Sequence, residues 1–189
     1  MSHAFRAPLT LDSFLEWERG QELRYEFDGV QPVAMTGGSV EHSVIATNLV
    51  RALEDRLHGG ACRAFRGDLK ILVDGHVRYP DAIVTCTPVP RGSDTVPSPV
   101  VVFEVLSPST AAVDRVVKNE EYRRTLSIRH YVMLEQTRMA LTVFTREGEA
   151  WTGRLHIGKA ALDLPAIGIK LPLATLYAGV DLEDDGSDT

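Results

Sequence analysis

Asp81 and Glu104 are carboxylates set into strand-like apolar runs: Asp81 follows Pro80 and leads into Ala82-Ile83-Val84, and Glu104 stands between Val100-Val101-Val102-Phe103 and Val105-Leu106. Burying a carboxylate in so apolar a run is costly unless a cation compensates it. Asp114 and Lys118 follow, four residues apart on a predicted helix. Two acids on neighbouring strands with a lysine nearby supply what a hard divalent cation and a hydrolytic water require. The chemistry this pattern predicts is metal-dependent hydrolysis.

Each residue also has a plainer explanation. A strand-opening aspartate can accept from a loop amide, and Glu104 could pair with an arginine. Asp114 and Lys118 could form a surface ion pair contributing a few tenths of a kcal/mol. Asp68-Leu69-Lys70 offers a competing lysine, since carboxylate-x-lysine spacing puts both groups on one face of a strand. Glu26, His42 and Lys70 are therefore accessory candidates. Arg63, Arg66, Arg115, Arg123 and Arg124 could contact phosphates.

The elements that must hold these residues read as follows. Thr10 caps a helix to about Arg19, and Arg24 to Met35 suggests two short strands turning near Asp28-Gly29. Ser39 caps a second helix to about His58, with Ile45, Leu49, Leu53 and Leu57 on one face and His42 at its entrance. Strands are expected from about Cys62 to Val73 and from Tyr79 to Cys86, joined by a hairpin at Asp74-Gly75. A proline-rich loop leads to a buried strand, Val100 to Leu106. Alternation puts Glu104 on one face of it with Val100, Val102 and Leu106. A helix to about Thr125 and a β-rich remainder complete a mixed sheet flanked by helices, in the α/β or α+β class.

Composition bounds the rest. At 189 residues the chain fits one domain over about 1–180, with an acidic, disordered tail at 181–189. The net charge is −6, and removing the tail's five acids leaves −1, so the body neither requires nor excludes a local basic groove. No apolar run reaches the roughly 20 residues of a membrane helix, and the N-terminus lacks a secretory signal. A cytoplasmic protein with no membrane partner is expected. Its two isolated cysteines, Cys62 and Cys86, are expected to be reduced, with zinc ligation and a disulfide both disfavoured.

Several segments together resemble the PD-(D/E)xK nuclease superfamily, and more closely its Uma-type restriction-endonuclease family. They are Tyr25-Glu26 with Asp28-Gly29, His42, Tyr79-Pro80-Asp81, Val102 to Thr110, Asp114 with Lys118 and Tyr122, and His130-Tyr131-Val132, spanning about Leu9 to Leu176. The resemblance implies a restriction-endonuclease-like sheet core in which Asp81 and Glu104 bind Mg²⁺ or Mn²⁺ and Lys118 assists catalysis. It also implies a nucleic-acid substrate, most simply DNA, and a homodimer is expected because two symmetric sites cut both strands of a duplex. One departure stands out. The superfamily lysine lies two residues after the acid, where this chain has Leu106, so Lys118 must reach the site from the next helix. The rival expectation is a catalytically weak nuclease-fold protein that binds nucleic acid or serves assembly.

Overall fold

The computed structural model describes residues 9–35, 37–108 and 110–182. The N-terminal third follows local signals closely. Thr10 accepts from Ser13 N at the start of α1 (Leu11–Glu18), and Ser39 accepts from His42 N at the start of α2 (Val40–Leu57). Between them β1 (Tyr25–Phe27) and β2 (Pro32–Ala34) form an antiparallel pair.

The next segment departs from the sequence reading. Two long strands were expected between Cys62 and Cys86; there are four short ones, β3 (Arg63–Arg66), β4 (Ile71–Val73), β5 (His76–Arg78) and β6 (Ala82–Thr85). Asp74-Gly75 does make a hairpin, both residues at positive φ (47° and 81°), but it joins β4 to β5. The chain then changes sheets through Tyr79-Pro80-Asp81, and β6 pairs with β3. Proline at that crossing removes a ladder donor, which suits a break in the sheet.

β7 (Pro99–Val105) pairs antiparallel with β6 and parallel with β8 (His130–Leu134). β9 (Ala140–Glu147) and β10 (Ala150–Ile157) complete a six-stranded mixed sheet in the order β10-β9-β8-β7-β6-β3. A four-stranded sheet, β2-β1-β5-β4, stands beside it. β11 (Ala161–Leu164) and β12 (Ile169–Pro172) form a hairpin that runs into a short α5 (Leu173–Leu176).

The central strands β6, β7 and β8 of the large sheet are buried on both faces, as the apolar run of β7 predicts. Val101, Phe103 and Val105 face α2, the β11–β12 hairpin and α5. Val102 and Leu106 face Tyr122, Tyr131 and the β4 residues Ile71 and Val73. Val100 was expected on the Glu104 face but packs with the α2 cluster, because the β6–β7 register slips between Val84 and Thr85. α1 seals the smaller sheet through Phe14 on Phe27, with Val77 and Tyr79.

Three further expectations change. The single helix to Thr125 is a composite: α3 (Ala111–Val113), a π-helical turn (Asp114–Lys118) and α4 (Asn119–Arg124). Cys62 and Cys86 are joined by a disulfide, S–S 2.00 Å, instead of being reduced. The cause is sheet pairing: Arg63 lies opposite Thr85, so the residues just beyond the strand ends meet, although 24 positions separate them. The acidic tail was expected from 181, yet Leu182 packs on the α2 cluster; residues 183–189 lie outside the described residues. No helix among the described residues is long and apolar enough to cross a membrane.

Candidate active site

Asp81 stands at the crossing between sheets, just before β6, and its carboxylate closes the end of the β6–β7 ladder. Val105 N donates to Asp81 Oδ2 at 2.7 Å. On the other oxygen, His42 Nε2 approaches Oδ1 at 3.1 Å from the first turn of α2. That hydrogen bond raises the His42 pKa despite partial burial, with the charges of Asp81 and Asp114 adding to it.

Glu104 lies beyond Phe103, which pairs with Ala82, so the register carries Glu104 alongside Asp81. Its Oε1 accepts from Lys118 Nζ at 3.0 Å and from Tyr122 Oη at 3.0 Å. Lys118 reaches it from the π-helical turn. A wider turn of this kind shifts the side chains that follow it and recurs at functional sites. The same ammonium lies 3.1 Å from Glu26 Oε1 and 3.1 Å from Asp114 Oδ1, the latter as an ion pair without hydrogen-bond alignment. Glu26, on β1, also accepts from Arg78 Nη1 at 3.1 Å and from Tyr79 N at 3.2 Å. Arg78 forks onto Glu121 at 2.7 and 2.6 Å.

Charge in this cluster does not balance. Glu26, Glu104, Asp114 and Glu121 are four carboxylates, and their permanently charged partners are two, Lys118 and Arg78. Burial first, and then the charges of Asp114, Asp81 and Glu26, push the Glu104 carboxyl well above its usual range; Lys118 only partly offsets this. Burial alone would lower Lys118, but Glu104, Glu26 and Asp114 outweigh it and raise its pKa.

A cavity of about 320 Å³ opens onto this cluster, with Glu26, His42, Asp81, Glu104, Asp114 and Lys118 on its wall. Among the described residues no three His, Cys, Asp or Glu side chains converge as a metal-ligating group. Mg²⁺ does not need three: it keeps several waters and takes one or two carboxylates plus substrate phosphate. Hard oxygen donors in a site with more carboxylates than cations fit such an ion.

The sequence candidates separate here. Asp81, Glu104, Lys118, Glu26 and His42 surround one cavity. Lys70 does not: it is turned away to Glu18 Oε2 and Asp94 Oδ2, each at 2.8 Å, and does not line this cavity. α1 delivers Glu18 to Lys70, and Tyr79 Oη also binds that carboxylate. The sequence reading had not placed Arg78 and Glu121 at the site. Glu121 gave no signal because its place depends on the smaller sheet lying under α4. Tyr131, within the His130-Tyr131-Val132 segment of the resemblance, donates its hydroxyl to Asp114 O at 3.0 Å and so supports the π-helical turn.

The "Putative restriction endonuclease" family, Uma2, matches residues 11–174. The chain belongs to this family. An uncharacterised protein of Synechocystis sp. (strain ATCC 27184 / PCC 6803 / Kazusa), slr1290, is 32% identical over 187 residues, 95% of this chain and 98% of that protein. A crystal structure described as a putative nuclease belonging to DUF820, from Anabaena variabilis ATCC 29413, superposes with a TM-score of 0.74. Its sequence is 20% identical, and the match covers 90% of this chain and 98% of that one. The chain thus shares that fold, and all five residues gathered at the cavity fall within the family match.

Proposed function

We propose that this chain is a Mg²⁺- or Mn²⁺-dependent endonuclease that hydrolyses phosphodiester bonds in DNA. One juxtaposition supports the reading: Lys118 Nζ lies 3.0 Å from Glu104 Oε1 on the wall of a cavity that Asp81 also lines. Asp81 and Glu104 would hold the cation. When bound, it would act as a Lewis acid on the scissile phosphate and offset the charge that develops there. Lys118 orients the attacking water and stabilises that charge. Its raised pKa keeps it an ammonium, which suits electrostatic stabilisation better than proton abstraction. Glu26 and Asp114 fix the ammonium from two further sides, so little reorganisation is needed during reaction. A homodimer, with two symmetric sites, would cut both strands of a duplex.

The test is nicking of supercoiled plasmid DNA by the purified chain in Mg²⁺, Mn²⁺ or EDTA. Cleavage is expected with metal and should be lost in EDTA, in Asp81→Asn and in Glu104→Gln. Full cleavage in EDTA, or by Asp81→Asn, would remove the metal-dependent reading. The second reading, a nuclease-fold module that binds nucleic acid or serves assembly, draws on Leu106. That side chain is buried in the apolar cluster, at the position where the superfamily pattern has its lysine. Retention of DNA with no nicking in any metal would favour it.

A further inference from the structure

A second groove, about 630 Å³, runs on from the site cavity and shares Gly38, His42 and Asp81 with it. Its walls carry Arg24 and Arg66, with Ser43 and Thr47 one turn apart on α2. Arg78, Arg115 and Arg124 each pair with a carboxylate. Among the described residues Arg66 has no such partner, and Arg24 has only a cation–π contact with Tyr79 at 6.0 Å.

What sets these two apart is position: both are exposed, form no ion pair among the described residues, and line the groove that continues from the site cavity. Their placement is specific. Arg66 ends β3 opposite Ala82, one residue from Asp81. Gly67 follows it, and a Cβ there would come 3.0 Å from Pro80 O, so the groove floor leaves no room for a side chain beside Asp81.

We propose that this groove is the track for the DNA strand flanking the scissile phosphate. Arg24 and Arg66 bind phosphate oxygens, and the Ser43 and Thr47 hydroxyls donate to the same backbone. Asp68 also lines the groove and opposes binding with its charge. The inference rests on the nuclease reading above and adds which residues hold the substrate outside the cavity.

The experiment uses the full chain carrying Glu104→Gln, with a fluorescein-labelled DNA duplex, fluorescence anisotropy and a KCl series in Mg²⁺. Arg24→Gln and Arg66→Gln should each weaken binding several-fold. Each should also make the slope of log K against log salt shallower by about 1. Asp68→Asn should tighten binding. In the Glu104 chain the arginine substitutions should raise KM with kcat nearly unchanged. All three side chains are exposed, and circular dichroism checks that the variants fold. Unchanged affinity and salt slope in the Arg24→Gln/Arg66→Gln double variant, while the wild-type chain cleaves, would overturn the track and leave the nuclease reading standing. A wild-type chain that neither cleaves nor binds DNA would remove both.

Discussion

Lys70 and Lys118 are both buried, 5% and 6% exposed, and both are held by carboxylates, yet their surroundings act in opposite directions. Lys70 joins Glu18 of α1 to Asp94 of the proline-rich loop, and its backbone also bonds that loop through Asp94 O and Val96 N. There the hydrogen bond from Lys70 lowers the Asp94 pKa. At Lys118 the Glu104 carboxyl is raised, because burial and three other acids outweigh one ammonium. A lysine paired with carboxylates in the interior is therefore not by itself the mark of a site. What distinguishes Lys118 is surplus negative charge facing a cavity, an arrangement that costs stability.

The largest effect expected is from Lys118→Ala. Removing that ammonium leaves Glu26, Glu104 and Asp114 facing one another, so we expect a loss of about 3–5 kcal/mol in urea unfolding together with loss of cleavage. Lys70→Ala should cost a similar amount, about 3–5 kcal/mol, because Glu18 is then buried without its cation. Its folded fraction should nonetheless cleave normally. If folded Lys70→Ala is inactive, the contrast between the two lysines fails.

Metal separates the two regions next. With Mg²⁺ at about 100 times its Kd, the wild type should gain about 2.7 kcal/mol in calorimetric unfolding. Lys70→Ala should gain as much and Glu104→Gln nearly nothing. Without metal, Glu104→Gln should be the more stable protein by about 1 kcal/mol, since it removes one of the crowded charges. A Glu104→Gln variant that is less stable without metal would mean that the ion pair with Lys118 outweighs the crowding.

The difference between the lysines explains what could be read from sequence. Asp81 and Glu104 were legible because an acid in an apolar strand is costly wherever the strand goes, and Lys118 because it lies only 14 positions from Glu104. The caps Thr10 and Ser39 and the Asp74-Gly75 turn were legible for the same reason, since each is a local signal. Glu18 lies 52 positions from Lys70, and their meeting depends on α1 closing over the smaller sheet. The existence of that sheet was hidden because Cys62 to Val73 reads as one strand, whereas β3 and β4 within it belong to different sheets. The Cys62–Cys86 bridge follows from the pairing of β3 with β6. The π-helical turn was missed because helical spacing was taken at its usual period, which Asp114 and Lys118 also satisfy.

The smallest effect tests the Lys70 side of the contrast. Asp94 has a lowered pKa in the folded chain, first through the hydrogen bond from Lys70, with burial opposing it. Near its unfolded value of about 3.9 the unfolded chain therefore binds more protons, and stability rises with pH. The contribution is present above that value and is lost as pH falls through the lower folded one. Asp94 is 66% exposed, so solvent screening holds the contribution below about 1 kcal/mol. Asp94→Asn should then lower the urea midpoint slightly at pH 7 and flatten the decline below about pH 4. Lys70 keeps Glu18 in this variant, so the core of the network survives. A loss as large as that of Lys70→Ala would show that Asp94, not Glu18, is the partner on which the buried lysine depends.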